Sequence, residues 1–411
     1  MNTLQDDLLK WRKEFPILEK SAYLISNSLG AMPKGVYNKI HDYCEIWSTW
    51  GVQAWEYEWW ELSLKVGNLI APLIGAGKDE ISMHPNISLI QSILISSFDF
   101  SGNRAKVVYT DLEFPSDMYV YEKLASSFGA KIHIVKSEDG ITTPTGKLIE
   151  SIDEKTLLVP ISHVLFRSAY INDVKTITEK AHSVGALVIL DAYHSVGTIE
   201  VDVKELGVDI LIGGVLKWLC GGPGGAFLWI KPELRNRLKP KITGWLAHKN
   251  PFAFEDKMHY TGTAYRFLNG TPSIPALYTI QEGPKIINKV GIKNIREKSV
   301  KQTSLIIEEA QKKGYQINTP LESRFRGGTV SIDMPGSYEI SKELIKRKIL
   351  VDYRPKAGIR IAPHFYTSNE EILNAMNVLN ELFLCKEPNY SPFGNKTIIT
   401  LTLKELEDKF N

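Results

Sequence analysis

The stretch that most constrains this chain runs from Leu187 to Ile230 and alternates apolar runs with short polar segments. Its first apolar run ends in Asp191, and its second is followed by Lys217 and a glycine-rich turn. An uninterrupted apolar run is typical of a strand buried on both faces of a parallel sheet. The first polar residue after such a strand marks the carboxyl edge of the sheet, where α/β proteins bind their ligands. The stretch therefore predicts a ligand site that contains Asp191 and Lys217.

These side chains suit the chemistry of pyridoxal 5′-phosphate (PLP). In PLP enzymes a lysine amine holds the cofactor aldehyde as a Schiff base, and a carboxylate keeps the pyridine nitrogen protonated. Asp191 fits the carboxylate, and His194 would lie beside the ring. Lys217 has apolar sequence neighbours, and apolar surroundings lower the pKa of a lysine and make its amine nucleophilic. We therefore predict PLP as the cofactor, with Lys217, Asp191 and His194 as catalytic residues.

Each of these residues also has a simpler interpretation. An aspartate at a strand end often caps a helix, a single histidine is usually structural, and a lysine between apolar residues can extend its amine to solvent. The three residues in this order and spacing nevertheless favour a cofactor site over three independent structural roles.

The same stretch resembles the class V, fold-type I PLP enzymes, in which an Asp-x-x-His strand end precedes a lysine and a glycine-rich turn. Within that class the chain is most similar to kynureninases. The similarity extends from Asn27 to Pro363 and includes Asn-Ser-Leu-Gly from Asn27, Phe-Pro-Ser-Asp from Phe114 and Gly-Ile-Arg-Ile-Ala-Pro around Arg360. It implies hydrolytic cleavage of the Cβ–Cγ bond of L-kynurenine, or of a related aryl amino acid, to an anthranilate and alanine.

The resemblance also implies roles for residues outside the central stretch. Arg360 would bind the substrate α-carboxylate, a task that suits the bidentate guanidinium group. Asn27, Ser28 and Asn269 would also contact the substrate. The remaining cofactor-binding residues would be Pro85, Asn86, Phe114, Ser116, Asp117, Ser162, Trp245 and Thr271. Trp245 would reach the phosphate region from a neighbouring subunit, so the resemblance implies a homodimer with shared active sites.

Some of these residues have structural interpretations that stay open. Asn86 and Ser88 suit the start of a helix as N-caps, although the free N–H groups of a helix start also bind phosphate. Ser116 and Asp117 also suit the first turn of the next helix. Capping and cofactor binding are compatible at all four positions.

One departure from the kynureninase pattern bears on the reaction. The residue before the Schiff-base lysine is a tyrosine in kynureninases and Leu216 here. Leucine cannot donate a proton, so the proton for the departing β-carbon would come from Lys217, from water, or from a displaced group such as His163 or Tyr193. A class V aminotransferase, epimerase or carbon–sulfur lyase that acts on another amino acid is therefore an alternative. A non-catalytic binding protein with the PLP-enzyme fold is a second alternative.

Composition narrows the class of protein and its setting. The chain has 411 residues, of which 43% are hydrophobic and 23% charged, as is usual for a globular enzyme. A net charge of +2 gives no reason to expect nucleic acid or a membrane as a partner. Three scattered cysteines suit neither a disulfide framework nor a zinc site, and the N-terminus lacks the apolar core of a signal peptide. We expect no metal and a cytoplasmic location.

Alternating strand and helix patterns predict an α/β fold with a mainly parallel central sheet and helices on both faces. The resemblance makes this a fold-type I PLP-dependent transferase with a smaller α+β C-terminal domain. We expect an N-terminal segment over residues 1–40 that joins the small domain, a large PLP-binding domain over residues 41–274 and the small domain over residues 275–411. The first 20 residues are expected to form an amphipathic helix, and residues 395–411 a terminal strand and helix.

Overall fold

The computed structural model describes residues 6–385, so the strand and helix expected at residues 395–411 lie outside the described part. The strands are β1 (Ala22–Tyr23), β2 (Ile81–His84), β3 (Lys106–Thr110), β4 (Lys131–Val135), β5 (Thr156–Ser162), β6 (Leu187–Asp191), β7 (Ile210–Gly214), β8 (Ala226–Ile230), β9 (Gln316–Ile317), β10 (Val330–Asp333), β11 (Ile349–Leu350), β12 (Asp352–Arg354) and β13 (Gly358–Ile361).

The α-helices are α1 (Val36–Trp50), α2 (Ala54–Tyr57), α3 (Leu62–Ile70), α4 (Ile87–Ile95), α5 (Pro115–Val120), α6 (Thr145–Glu150), α7 (Val174–Ser183), α8 (Val203–Leu206), α9 (Pro232–Arg235), α10 (Ile274–Thr279), α11 (Glu282–Val290), α12 (Ile292–Lys312), α13 (Ser337–Lys346) and α14 (Asn369–Leu384). A π-helical turn, Tyr121–Ala125, continues α5. Short 3-10 helices span Asp7–Glu14, Pro16–Glu19, Gly51–Gln53, Trp59–Glu61, Ala71–Leu73, Trp245–Ala247, Pro251–Ala253, Ala264–Phe267 and Ser323–Phe325. Within residues 6–385, no helix is both long and apolar enough to cross a bilayer.

The large sheet has seven strands in the order β2-β8-β7-β6-β5-β3-β4. Strands β7, β6, β5, β3 and β4 pair in parallel, whereas β8 is antiparallel to both of its neighbours. The predicted mainly parallel sheet is therefore confirmed. Because β5, β6 and β7 are adjacent and parallel, their carboxyl ends meet at one edge, and the residues that follow them are brought together there.

Alternate residues of the central strands face two separate cores. Leu190 and Leu211 belong to the core that also contains residues of α3 and α7, whereas Ile189 and Ile210 belong to the core that contains residues of α4. Successive side chains of a strand point to opposite faces, so a sheet that is apolar on both faces must be covered on both. Burial of each such side chain stabilises the fold by about 1.5–3 kcal/mol.

A third core lies in the C-terminal part of the chain. Strands β12, β13, β10 and β9 form an antiparallel sheet in that order, and α12, α13 and α14 contribute Ile306, Leu344 and Met376 to its core. The N-terminal segment is attached here, because β1 pairs in parallel with β11 and Ile25 bridges Ala362. This arrangement brings residues near position 27 and residues near position 360 to the same side of the molecule.

The N-terminus differs from the single amphipathic helix predicted for the first 20 residues. It forms two separate 3-10 helices, Asp7–Glu14 and Pro16–Glu19, and the intervening Phe15 is extended, with φ −125° and ψ 92°. The proline that opens the second helix disfavours helical backbone at the residue before it, which is the physical reason for the break. Arg12 in the first helix donates to both carboxylate oxygens of Glu371 at 2.7 and 2.9 Å, which attaches this segment to α14.

Candidate active site

Three adjacent strands of the large sheet place polar side chains around one cavity. Ser162 is the last residue of β5, Asp191 is the last residue of β6, and Lys217 follows β7 by three residues. Together with Arg360 from β13 they line a space of about 320 Å³, a volume typical of small-molecule sites. Other predicted residues in the wall of this cavity are Asn27, Ser28, Asn86, Phe114, Ser116, Asp117 and His194. We call the part formed by Lys217, His194, Asp191 and Asp117 the sheet side.

Lys217 is surrounded by rings on the sheet side. Its Nζ atom lies 2.6 Å from His194 Nε2, 4.5 Å from the centre of the Tyr193 ring and 5.6 Å from the centre of the Phe114 ring. Burial lowers the pKa of Lys217 to about 7, although the negative charge of Asp191 opposes this shift. A large fraction of this amine is therefore unprotonated at neutral pH, the form that attacks an aldehyde.

Asp191 and Asp117 form the acidic part of the sheet side. The backbone N–H of Tyr193 donates to Asp191 Oδ1 at 2.8 Å, and the side chain of Gln91 donates to Asp117 Oδ1 at 2.6 Å. Burial raises the pKa of both carboxyl groups, and the charge of Asp191 raises that of Asp117 further. Neighbouring carboxyl groups in dry surroundings do not both ionise. We therefore assign the shared proton to Asp117 and the negative charge to Asp191.

Glu113 is a third buried carboxyl group, and sequence reasoning missed it. Its two oxygens accept hydrogen bonds from Thr110 Oγ1 at 2.8 Å and from the backbone N–H of Ser162 at 2.7 Å. Burial nevertheless raises the pKa of Glu113 to about 7. Its position directly before the Phe-Pro-Ser-Asp segment was the available signal, but nothing in the sequence shows that the side chain turns inward.

The start of α4 forms another part of the wall. Asn86 is the N-cap of this helix, and its side-chain oxygen accepts from the backbone N–H of Leu89 at 2.9 Å. The N-cap interpretation is thus confirmed. Asn86, Ile87 and Ser88 all line the cavity, and the first N–H groups of a helix lack partners within it. This helix start can therefore bind an anion such as a phosphate group.

Phe114 supplies a flat apolar surface beside Lys217. It immediately precedes α5, whose first residue is a proline, and its side chain is 40% exposed. Phe166 packs edge-on against it, with ring centres 5.2 Å apart and an interplanar angle of 84°. The edge contact leaves a ring face available for stacking on a planar ligand.

Asn27 is fully buried in the cavity wall, and neither its side-chain nitrogen nor its oxygen has a hydrogen-bond partner among residues 6–385. An unsatisfied buried amide costs about 1–3 kcal/mol, so such a group is expected to gain a partner when a ligand binds. Gly30 explains how this loop comes so close, because a Cβ atom there would lie 2.1 Å from the carbonyl oxygen of Lys217. The Asn-Ser-Leu-Gly segment thus packs directly against the lysine backbone.

Arg360, 3% exposed, occupies a different part of the wall. Its Nε and Nη2 atoms donate to the two carboxylate oxygens of Asp352 at 2.8 and 2.6 Å, and its Nη1 donates to the carbonyl of Phe166 at 2.6 Å. Arg354 also lines the cavity, and its Nη2 lies 3.1 Å from the same carboxylate. We call Arg354, Arg360 and the Asp352 behind them the arginine side. Sequence reasoning missed Asp352 and Arg354, whose only signal was their alternation along a short strand.

Four of the predicted site residues do not line this cavity. Pro85, Asn269 and Thr271 surround an adjacent space of about 130 Å³. Trp245 and Thr271 line a larger groove of about 790 Å³, in which Trp245 packs 5.6 Å from Trp60, measured between ring centres. A single chain therefore does not bring these four residues to Lys217.

Comparison with known proteins agrees with this architecture. The chain matches the family model "Aminotransferase class-V" over residues 23–364. It is 31% identical to a kynureninase of Pseudomonas fluorescens over 92% of this chain and 93% of that protein. It is also 32% identical to YcbU of Bacillus subtilis, named as an uncharacterized aminotransferase, over 90% of this chain and 96% of that protein.

Solved structures of low sequence identity share the fold. An apo cysteine desulfurase from Thermococcus onnurineus matches with a TM-score of 0.81 at 22% identity, over 91% of this chain and 97% of that one. A mutant of C-DES, described with glycine covalently linked to its PLP cofactor, matches with a TM-score of 0.81 at 19% identity, over 90% of this chain and 99% of that one. A buried amine, an acidic group, an aromatic face and a helix start within one cavity also suit PLP. The chain therefore belongs to the class V aminotransferase family, has kynureninases among its sequence relatives, and uses pyridoxal 5′-phosphate as its cofactor.

Proposed function

We propose that this chain is a hydrolase that cleaves the Cβ–Cγ bond of L-kynurenine or of a related aryl amino acid. The observation that carries this proposal is the single cavity in which Lys217, Asp191 and Arg360 meet. The relatives named kynureninase, about one-third identical over nearly the whole chain, support the reaction type.

The sheet side would hold the cofactor. Lys217 Nζ would bind its aldehyde carbon, Asp191 would pair with its ring nitrogen, and the ring of Phe114 would cover one of its faces. Ser116, Asp117, Ser162 and the N–H groups at the start of α4 would complete the pocket, with the helix start at the phosphate. Bound there, PLP supplies an electron sink for the α-carbon of the substrate.

Lys217 would move a proton at the substrate α-carbon. Because burial lowers its pKa to about 7, the amine is able to accept a proton near neutral pH. Burial also places the pKa of His194 well below its usual value, so this ring is neutral, and its Nε2 shares a hydrogen bond with Lys217 Nζ at 2.6 Å. His194 would thereby orient the lysine amine.

Tyr193 would protonate the departing β-carbon. Leu216, at the position of the family tyrosine, lines the cavity but has no acidic proton. The ring of Tyr193 lies 4.5 Å from Lys217 Nζ, and burial raises the pKa of its phenol. A phenol is protonated at neutral pH and has a proton to donate, and burial makes Tyr193 a weaker acid than a free tyrosine.

The first experiment incubates PLP-loaded protein with L-kynurenine and follows anthranilate fluorescence together with the visible spectrum of the cofactor. Multiple turnovers to anthranilate are expected. A change in the cofactor spectrum without anthranilate would contradict the hydrolase proposal while retaining the amino-acid site.

The proton donor is tested with Tyr193→Phe, which removes only the hydroxyl group. Anthranilate release should fall by about 100-fold, the usual effect of losing a general acid, while the cofactor spectrum is unchanged. Tyr119→Phe is the matched control, because Tyr119 is 61% exposed and does not line the cavity. Equal rates in the two variants would rule out Tyr193 as the donor.

An aminotransferase is the second candidate, and Leu216 is the observation that favours it. A chain without the family tyrosine lacks a group that β-carbon protonation uses, whereas transamination has no such step. The similarity to YcbU points the same way. A stoichiometric loss of the lysine-bound cofactor band with L-alanine or L-glutamate, reversed by a 2-oxo acid, would establish this reaction.

We also propose a homodimer in which Trp245, Asn269 and Thr271 complete the cavity of the partner subunit. The groove that contains Trp245 is bordered by Tyr57 and Phe252, which are 58% and 63% exposed, and exposed aromatic clusters are typical of interfaces. We propose the cytoplasm as the location, because the three cysteines, all unpaired, suit a reducing compartment.

The homodimer is tested by its mass and activity. Sedimentation equilibrium should give twice the chain mass, and a fully active monomer would contradict the shared site.

A further inference from the structure

A single carboxylate connects the two guanidinium groups of the arginine side. Asp352 and Arg360 are directly opposite in the antiparallel pair of β12 and β13, and Arg354 lies two residues beyond Asp352 on the same strand. Because side chains alternate along a strand, the register places all three groups on one face. The side chains of Asp352 and Arg360 are 9% and 3% exposed, so this ion pair is nearly removed from solvent.

The ion pair leaves part of Arg360 available to a ligand. A guanidinium group carries five N–H donors. Nε and Nη2 each give one to Asp352, and Nη1 gives one to the Phe166 carbonyl, which leaves one N–H on Nη1 and one on Nη2. Two such donors match the two oxygens of one carboxylate.

The charges on the arginine side are matched to one anion. Arg354 and Arg360 contribute two positive charges and Asp352 one negative charge, which leaves a net charge of +1. Apart from Tyr193, whose phenol is uncharged at neutral pH, the other ionisable residues of the cavity wall belong to the sheet side. The cavity wall also contains the apolar residues Val164, Phe166 and Leu216 and the uncharged polar residues Asn27 and Ser28, none of which offers a positive charge to a second carboxylate.

We propose that Asp352 is a positioning residue that restricts this site to amino acids with a single carboxylate and an uncharged side chain. The inference rests on the proposed binding of an amino acid in this cavity, but not on the reaction that follows. Asp352 holds Arg360 so that its two remaining donors meet the α-carboxylate, and it neutralises Arg354. A second carboxylate would then be desolvated in a cavity that offers it no free cation.

Titration of the wild-type protein tests the proposal directly. PLP-loaded protein is titrated with L-alanine, L-aspartate and ethylamine while the visible band of the lysine-bound cofactor is followed. L-Alanine should half-saturate at a concentration about tenfold or more below that of the other two, because only it presents one carboxylate and no second charge. Equal half-saturation by L-alanine and L-aspartate, or by L-alanine and ethylamine, would overturn the proposal.

The variant Asp352→Asn separates positioning from a purely structural role. It releases Arg354 as a second free cation and loosens Arg360, so L-alanine should bind more weakly while the ratio of the L-aspartate to the L-alanine half-saturation falls by about tenfold. The double variant Asp352→Asn/Arg354→Gln removes the extra cation and should restore the wild-type ratio. If both amino acids weaken equally in Asp352→Asn, the carboxylate only stabilises the fold and the proposal fails.

Asp333→Asn is the matched control. This substitution removes the same charge from β10, which lies two strands from β12 in the same sheet, and Asp333 does not line the cavity. Its titrations should equal those of the wild type. If PLP-loaded protein lacks a lysine-bound band altogether, the cofactor site of the proposed function fails; if the band is present and the amino acids are not distinguished, only the role of Asp352 fails.

Discussion

On the sheet side of the cavity, ionisable groups are buried without full charge partners, whereas on the arginine side Arg360 is buried in an explicit ion pair with Asp352. Burial lowers the pKa of Lys217 to about 7 and raises that of Asp191. Arg360 instead has two hydrogen bonds to one carboxylate, at 2.8 and 2.6 Å. Desolvation without a partner shifts protonation, and a bidentate ion pair retains charge. One side of the cavity is thus suited to exchange protons and the other to bind a fixed charge.

The largest effect is expected from substitution of Lys217 on the sheet side. Lys217→Ala should abolish the visible band of the lysine-bound cofactor and lower turnover by more than about 1000-fold, because the described part of the chain places no other amine in the cavity wall. Lys231→Ala is the control, since Lys231 is exposed. Absorbance and anthranilate release measure the two effects, and a retained band in Lys217→Ala would place the cofactor elsewhere.

A smaller effect is expected from the two neighbouring carboxyl groups. Asp191→Asn should lower turnover by about 100-fold, because it removes the charge that we propose to pair with the ring nitrogen of the cofactor. Asp117→Asn should retain turnover within about threefold, because asparagine resembles the protonated acid that we assign there. PLP affinity and turnover are measured for both variants. Equal losses would show that Asp117 is ionised as well.

Asn27 and Ser28 are adjacent, but their substitution by alanine should affect L-alanine binding to different extents. The Asn27 amide is buried without a partner, so Asn27→Ala should weaken L-alanine binding by about tenfold while leaving the melting temperature of the ligand-free protein unchanged or higher. Ser28 Oγ lies 3.5 Å from Arg354 Nη2, at the limit of a hydrogen bond, so Ser28→Ala should change binding by less than about twofold. Spectral titration and thermal unfolding measure both, and a larger loss in Ser28→Ala would reverse this assignment.

The smallest effect is a shift in the pH midpoint of PLP capture, in opposite directions for a sheet-side variant and an arginine-side variant. The rate of PLP capture by cofactor-free protein should rise with pH around a midpoint near 7, because only the unprotonated amine of Lys217 reacts. Asp191 raises the pKa of this lysine and Arg360 lowers it. Asp191→Asn should therefore lower the midpoint and Arg360→Met should raise it, by about one pH unit or less. Stopped-flow absorbance measures the rate, and midpoints that move in the same direction would contradict this account.

Much of the fold could be predicted because its signals are local. The apolar run that ends in Asp191 predicted a buried strand, and the structure has β6 end at this residue. The mainly parallel sheet, the family and the PLP cofactor are confirmed. The roles of individual site residues and the domain boundaries near residues 40 and 274 stay predictions. The prediction of one continuous N-terminal helix was wrong, because a proline within the amphipathic pattern separates two 3-10 helices.

The sequence by itself determined which side chains reach the carboxyl edge of the large sheet, because strand length and apolar character are properties of short consecutive segments. Only the tertiary structure decided the environment of those side chains. Arg360 donates hydrogen bonds to its cross-strand neighbour Asp352 and to the carbonyl of Phe166, 194 residues away, and Glu113 accepts one from the backbone N–H of Ser162. Such contacts depend on strand register and on the packing of distant segments. The contacts in turn set the burial and the charge balance of the site, on which proton transfer and carboxylate recognition depend.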